Sequence, residues 1–92
     1  MITRINQFEA APGAEQALFA FLQSVIATIE RCPGCRSCRL LRSIDNPARL
    51  AILEEWDSID DHQRAAKAIP PERLAEAMPL FARPPVGIYY EG

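Results

Sequence analysis

The regular spacing of apolar residues between positions 15 and 31 constrains the fold of this chain more than any other feature. These side chains recur every three or four residues, which is the pattern of an amphipathic helix, at Leu18, Phe21, Leu22, Val25, Ile26 and Ile29. Pro12-Gly13 precedes the segment and Pro33-Gly34 follows it, and both pairs favour turns. We therefore predict a helix from Glu15 to Arg31 that buries one face.

Strands are predicted around this helix by segments rich in branched and aromatic residues, at 2–10, 35–44, 49–56 and 86–91. Asp45-Asn46-Pro47 predicts a tight turn, so the second and third strands should pair antiparallel. A second helix is predicted from Ile59 to about Ile69, and Pro71 can open a short third one. The order βαββαβ predicts one α+β domain over residues 1–92. Its four-stranded antiparallel sheet would carry the helices on one face, which is the ferredoxin-like arrangement.

Neighbouring apolar residues in the second and third predicted strands indicate that both faces of the sheet are covered. Leu40 and Leu41 point to opposite faces, as do Ile52 and Leu53, because side chains alternate along a strand. A face open to water would alternate apolar and polar residues more regularly. A domain of 92 residues also gains stability from association. We therefore predict a homodimer in which the face free of helices meets a second copy.

The corner from Glu54 to Ser58 joins the third strand to the second helix. Ser58 suits the N-cap of that helix, and Asp60 and Asp61 suit its first turn, where the helix dipole favours acidic residues. Trp56 therefore lies at the end of a strand, beside a helix start. Pockets often form at such corners, so we predict a pocket between helices and sheet, bordered by Asn6, Trp56 and His62.

Composition and charge exclude several classes of function. The net charge is −2 and no block of Lys or Arg exists, so nucleic acid is not expected as the main partner. No apolar run reaches the roughly 20 residues that span a bilayer, and no signal peptide begins the chain, so we expect a cytoplasmic protein without membrane contact. The four glycines stand apart, so no phosphate-binding loop for a nucleotide cofactor is expected.

Three cysteines, Cys32, Cys35 and Cys38, form a C-x-x-C-x-x-C motif. An iron–sulfur cluster or a zinc site would need a fourth ligand, and the alternation of a strand should place Cys35 and Cys38 on opposite faces. Cys32-Pro33-Gly34-Cys35 is similar to a redox pair, but it ends a helix, whereas thioredoxin-type pairs open one. These points favour structural cysteines over a metal or redox role, and we predict no bound metal.

His62 and Asn6 are the candidate catalytic residues. His62 is the only histidine, and its side chain has an unperturbed pKa near neutrality, as a general base needs. Asn6 can donate a hydrogen bond to an oxyanion that forms when a substrate is deprotonated. The alternatives are structural: His62 can pack against the sheet, and Asn6 can satisfy backbone groups of the first strand.

Substrate-binding walls are predicted from the apolar residues near this corner. Trp56 offers a flat surface for a polycyclic aromatic, although it also suits the core. Phe21, Leu22 and Val25 of the long helix would form further walls, with Phe21 also suited to the core. Tyr89 and Tyr90 point to opposite faces of the last strand, so only one of them can face the pocket. Tyr90 is taken as the substrate-binding one.

The order and spacing of several short motifs resemble the antibiotic biosynthesis monooxygenase domain family over almost the whole chain. The motifs are the first strand near Asn6, Ala11-Pro12-Gly13 with Glu15, Pro33-Gly34-Cys35, Cys38 to Ser43, Leu53 to Ser58, and Tyr89-Tyr90-Glu91. The resemblance implies a dimeric α/β barrel of ferredoxin-like subunits. It also implies a monooxygenase that oxidises a phenolic, anthrone or quinol-type aromatic with O₂, without flavin, haem or metal.

Departures from the family pattern leave other functions open. Haem-degrading and quinol-oxidising relatives usually carry a His or Trp about nine residues beyond the corner tryptophan, where this chain has Ala65. Asn6 does match an asparagine of the haem-degrading relatives, but only His62 remains as an axial ligand. Haem binding is therefore the weakest hypothesis. The main alternative to an oxygenase is a non-catalytic dimer of the same fold that binds a small molecule or acts as a regulator.

Overall fold

The computed structural model describes residues 1–92 and contains four strands and three α-helices. In chain order they are β1 (Ile2–Glu9), α1 (Glu15–Ile29), β2 (Cys35–Arg42), β3 (Arg49–Trp56), α2 (Ile59–Ala66), α3 (Pro71–Ala77) and β4 (Val86–Tyr90). A 3₁₀ turn at Met78–Leu80 follows α3. The strands form one antiparallel sheet in the order β2-β3-β1-β4. This order confirms the predicted ferredoxin-like fold.

Helix ends differ by a few residues from the prediction because the final turns tighten. α1 ends at Ile29 rather than Arg31, and the N–H groups of Arg31 and Cys32 bond to carbonyls three positions back, those of Thr28 and Ile29. α2 ends at Ala66 rather than Ile69, with Lys67 bonded to Arg64 in the same way. None of the helices combines the length and the apolar composition needed to cross a membrane.

The two faces of the sheet are set by the register of β1 and β3. Leu50, Ile52, Glu54 and Trp56 are all buried beneath the helices, and in β1 the residues paired with them share that face. The helix-free face, called here the open face, carries the intervening residues. Four of its large apolar side chains are 37–51% exposed: Leu41, Val86, Ile88 and Tyr90. In β2 and β3, Leu40 and Ile52 face the helices whereas Leu41 and Leu53 lie on the open face, which confirms the predicted apolar character of both faces.

Two groups of buried residues form the core between helices and sheet. The larger group contains Ala10, Leu18, Leu22, Leu50 and Ile52, and α1 packs over it. The smaller group consists of Ile29, Trp56 and Ala65, so it joins the end of α1, the end of β3 and α2. All three cysteines pack around this smaller group, called here the Trp56 cluster.

The first turn of α2 lies against the turn that follows α1. The Ser58 hydroxyl accepts a hydrogen bond from the Asp61 N–H, which confirms the predicted N-cap. The Asp57 N–H donates to the Gly34 carbonyl over 2.9 Å. Gly34 has a φ of +89°, and a Cβ built there would lie 2.6 Å from the Asp61 Cβ. The absence of a side chain at Gly34 therefore lets α2 dock on this turn.

We expect Gly34→Ala to destabilise the fold more than Gly13→Ala. Both glycines have a positive φ, which costs an alanine about 1–2 kcal/mol. A Cβ at Gly13 would have no atom within 4 Å, whereas at Gly34 it would displace Asp61, adding about 1–3 kcal/mol of overpacking. Urea unfolding of the two variants measures the difference. Equal losses would show that α2 does not depend on this close approach.

Candidate functional site

A buried carboxylate lies at the centre of the candidate site. Glu54 is only 4% exposed, because its side chain follows the helix-facing alternation of β3. The Trp56 Nε1–H donates to its Oε1 and the Asn6 Nδ2–H donates to its Oε2, each over 2.8 Å. A buried carboxylate without such donors would be costly, so these two bonds fix its position.

Burial raises the pKa of Glu54 above its ordinary value of 4.5. The hydrogen bond from Trp56, the Arg4 charge and the hydrogen bond from Asn6 act in the opposite direction, because each stabilises the ionised form. The Glu54 carboxylate therefore binds a proton more readily in the folded state than in the unfolded state. Glu54 stabilises the fold most below about pH 4.5, and its contribution is lost as the pH rises through the folded-state pKa.

Arg4 and Asn6 extend the network along β1. The Arg4 Nε–H donates to the Asn6 Oδ1 over 3.0 Å, and the guanidinium lies over the Tyr89 ring, 4.5 Å from its centroid. Gly87 of β4 pairs with Asn6 in the sheet, and a Cβ there would collide with the side chains of Arg4 and Asn6. This glycine therefore provides the space in which both polar side chains lie over β4.

His62 lies between Glu54 and Tyr89. Its Nε2 is 3.8 Å from the Glu54 Oε1, and its Nδ1 is 2.6 Å from the Tyr89 hydroxyl oxygen. The imidazole also meets the rings of Trp56 and Tyr89 edge to face, with centroids 5.5 and 5.2 Å away. The nearby carboxylate favours the tautomer with its proton on Nε2, so that Nδ1 accepts from the Tyr89 hydroxyl.

The environment keeps His62 neutral near physiological pH. Burial lowers the pKa of His62 below its ordinary 6.5, and the Arg4 charge lowers it further. The Glu54 Oε1 lies 3.8 Å from the His62 Nε2, so it can stabilise an imidazolium once a proton has been accepted. The His62 side chain is 13% exposed, so the neutral imidazole, which can accept a proton, has little contact with solvent.

The structure brings together some of the predicted site residues and separates others. Asn6, Trp56 and His62 meet around Glu54, as the corner suggested. Trp56 and Leu22 are 0% and 2% exposed and belong to the core, so neither presents a surface to a ligand. Phe21 and Val25 are half-buried on α1, and Val25 packs against the Trp56 cluster.

Tyr90, taken from the sequence as the substrate-binding tyrosine, lies on the open face and is 48% exposed. Tyr89 instead faces the helices and contacts His62. Strand alternation determines that the two differ, but only the register with β1, where Tyr89 pairs with Arg4, determines which one faces inward. The helix-side tyrosine is therefore Tyr89.

Two cavities in the molecule lie away from this network. One, of about 390 Å³, opens on the open face and is lined by residues including Gln7, Leu41, Arg49, Ala51 and Val86. The other, of about 230 Å³, lies beside α2 and is lined by Cys32, Pro33, Asp61, Arg64, Ala65 and Ala68. The pocket predicted from the sequence would be bordered by Asn6, Trp56 and His62. Neither of these two cavities has any of those residues in its lining.

A register irregularity changes the placement of the cysteines. β2 slips against β3 between Cys35 and Ser37, so that Cys35 pairs with Trp56 and Cys38 with Glu54. Both cysteines therefore lie on the helix-facing side, not on opposite faces as strict alternation predicts. No group of three or more His, Cys, Asp and Glu side chains is placed to hold a metal ion. Burial and the Glu54 charge raise the pKa of Cys38 to about 12.

Sequence reasoning missed Glu54, Arg4 and Tyr89 as members of the site. The signal for Glu54 was present, because it shares the parity of Ile52 and Trp56 and so had to face the core. Arg4 has the parity of Asn6 on the first strand. For the last strand, alternation left Tyr89 and Tyr90 as equal choices, and only the pairing with β1 decides between them.

Comparison with known proteins identifies related sequences and folds. The sequence model of the family described as antibiotic biosynthesis monooxygenase matches residues 1–77. A comparison with curated proteins finds no match. Among solved structures, a candidate antibiotic biosynthesis monooxygenase of Nitrosomonas europaea has a TM-score of 0.88 at 20% identity, with 100% of this chain and 98% of that chain covered.

Two further structures show the same fold. Rv0793 from Mycobacterium tuberculosis superposes with a TM-score of 0.86 at 26% identity, covering 99% of this chain and 93% of its own. SnoaB from Streptomyces nogalater, a cofactor-independent oxygenase, has a TM-score of 0.79 at 22% identity, with coverages of 99% and 91%. The fold of this chain is therefore shared over its whole length.

We expect Asn6→Ala to destabilise the protein by about 1–3 kcal/mol, because it leaves the buried Glu54 carboxylate short of a donor. The loss should be larger at pH 8 than at pH 4.5, since the Asn6 bond stabilises the ionised form. Urea unfolding at both pH values measures this, with Gln23→Ala, an exposed amide on α1 outside the network and the open face, as control. An equal loss at both pH values would contradict the role assigned to Asn6.

Proposed function

Because the chain belongs to the antibiotic biosynthesis monooxygenase family, we propose that it is a cofactor-independent monooxygenase of a phenolic, anthrone or quinol-type aromatic. The observation that supports this most is the neutral His62, which lies between the Glu54 carboxylate and the Tyr89 hydroxyl. This arrangement can accept a proton and stabilise the resulting imidazolium. SnoaB, described as a cofactor-independent oxygenase, shares the fold.

The reaction can be written for an anthrone, whose ring methylene becomes a carbonyl. Removal of one proton gives an electron-rich anion, which transfers an electron to O₂, and the two radicals combine to a hydroperoxide. Loss of water then leaves the quinone, so one oxygen atom enters the product and the other leaves as water. The substrate supplies all four electrons, and the protein supplies only a base, an anion-stabilising donor and a shielded position.

The proton path runs through Tyr89 to His62. The Tyr89 hydroxyl donates to the His62 Nδ1, so its oxygen can take the substrate proton while its own proton moves to the imidazole. The imidazolium formed would carry its Nε2–H toward Glu54, whose charge stabilises it. In this scheme His62 is the base, and Tyr89 is the group that touches the substrate.

Asn6 can donate a hydrogen bond to the oxyanion through the second N–H of its side-chain amide. One Nδ2–H is bonded to Glu54, and the second has no partner in the protein. The Arg4 guanidinium, which bonds the Asn6 carbonyl, adds positive charge beside the same position. Half-buried Phe21 and Val25 of α1 would supply apolar walls for an aromatic ring.

A non-catalytic binding dimer is the alternative, and one observation favours it. Each buried side-chain nitrogen and oxygen atom has at least one hydrogen-bond partner within the protein. A polar network in which each buried atom is bonded also suits a purely structural role. Oxygen uptake by metal-free protein across a panel of anthrones, quinols and catechols separates the two functions.

We also propose that the protein is a homodimer formed through the open face. Leu41 at one edge of the sheet and Val86, Ile88 and Tyr90 at the other edge expose apolar side chains on the side that no helix covers. The cavity of about 390 Å³ opens on the same face, so a second copy would enclose it. Tyr90 would then face the partner subunit.

For the oxygenase, we expect His62→Ala to lower the rate of oxygen uptake by about 10²–10⁴-fold, the usual contribution of a positioned base. Tyr89→Phe should also slow the reaction, because it interrupts the proton path. Asn6→Ala should cost roughly ten- to several-hundredfold. Parent activity should rise with pH through an inflection below 6.5, since the pKa of His62 is lowered and only its neutral form accepts a proton.

Circular dichroism and unfolding of each variant provide the control for folding in these rate measurements. If folded His62→Ala consumes oxygen as fast as the parent, the base is not His62. If the parent itself consumes none with any substrate of the panel, the binding function replaces the oxygenase. Labelled O₂ should place one oxygen atom in the product and the other in water.

For the dimer, we expect Ile88→Glu to produce a monomer at micromolar concentration, because a carboxylate would be buried in the apolar interface. Leu74→Glu is the matched control, since Leu74 on α3 is as exposed as Ile88, each at 47%, but lies outside the open face. Sedimentation velocity measures both variants. If the parent protein sediments only as a monomer, the proposed dimer interface on the open face is wrong.

A further inference from the structure

We propose that Cys32 and Cys35 form a reversible disulfide when the protein meets a peroxide. The Cys35 N–H donates to the Cys32 carbonyl over 3.2 Å, which closes a four-residue turn. Pro33 at its second position and Gly34, with φ +89°, at its third are the features of a type II turn. Such a turn holds its end Cα atoms within 7 Å, and a disulfide needs about 4.4–6.8 Å.

Geometry selects this pair over the other neighbouring pair. Cys35 and Cys38 both belong to β2, and although the strand slips between Cys35 and Ser37, no turn brings their Cα atoms together, because extended residues advance about 3.3 Å each. Cys38 is also held opposite the Glu54 carboxylate in the sheet. Cys32 and Cys35, in contrast, both pack against the Trp56 cluster from the two ends of one turn.

The accessibility of the two sulfur atoms to peroxide determines which cysteine reacts first. Cys32 lines the cavity of about 230 Å³ beside α2, so a peroxide can reach it. Cys35 is paired with Trp56 in the sheet, and burial, Glu54 and Cys32 raise its pKa, which keeps it a thiol. Cys32 is therefore the attacking cysteine and Cys35 the resolving one.

The chemistry balances with hydrogen peroxide as the oxidant. The Cys32 sulfur attacks one peroxide oxygen, the O–O bond breaks, and a sulfenic acid and one water form. The Cys35 sulfur then attacks the sulfenic sulfur, the S–O bond breaks, and a second water leaves with the disulfide. Two electrons pass from the two thiols to one peroxide, and a dithiol reductant reverses the change.

Trypsin separates the cysteines for the test, because it cuts after Arg31, Arg36 and Arg39. After treatment of the intact protein with hydrogen peroxide, the fragment 32–36 should be about 2 Da lighter and resist alkylation. The fragment 37–39, with Cys38, should still alkylate. Thiols titrated under denaturing conditions should fall from three to one, and dithiothreitol should restore them.

Substitutions and fluorescence check the same bond independently of mass. Trp56 is the only tryptophan, and a disulfide beside it should quench its emission in the parent and in Cys38→Ser, but not in Cys32→Ser or Cys35→Ser. Three unchanged thiols, a bridge between the fragments 32–36 and 37–39, or irreversible oxidation of Cys32 would each overturn the proposal.

Discussion

The buried carboxylate of Glu54 is the interaction around which the helix-side half of the domain is arranged. It ties β3 to β1 through Asn6, and it holds the Trp56 indole through the nitrogen that would otherwise be unpaired. A carboxylate at 4% exposure is stable only with such donors. Because both donors are side chains in a regular sheet, the network places His62 against a charge of fixed position.

The position of α2 depends on a second constraint, the turn that follows α1. The Gly34 carbonyl accepts a hydrogen bond from the Asp57 N–H, and the missing side chain of Gly34 leaves room for Asp61. The first turn of α2 can therefore lie close to the end of the sheet. The same turn carries Cys32 and Cys35, and both pack against the Trp56 cluster. The Trp56 indole, which exposes no surface, therefore lies in the same cluster as both cysteines and meets the His62 imidazole edge to face.

Each face of the sheet has a different role because its side chains alternate. The helix-facing side holds the core and the polar network, with Tyr89 at its edge. The open face carries Ile88 and Tyr90 with no helix above them. Moving the register of β4 by one residue would exchange Tyr89 with Tyr90 and remove the partner of His62. The pairing of Tyr89 with Arg4 thus links the architecture of the sheet to the chemistry of the site.

Features that depend on nearby residues were readable from the sequence alone. The helix periodicity, the Ser58 cap and the proline–glycine breaks gave the element order, because each follows from local backbone preferences. Contacts between distant segments were not readable. Asn6 meets Glu54 across 48 positions and His62 meets Tyr89 across 27, and the slip at Cys35 reverses a face that alternation had assigned. Register and burial decide these contacts, and both arise only when the whole sheet assembles.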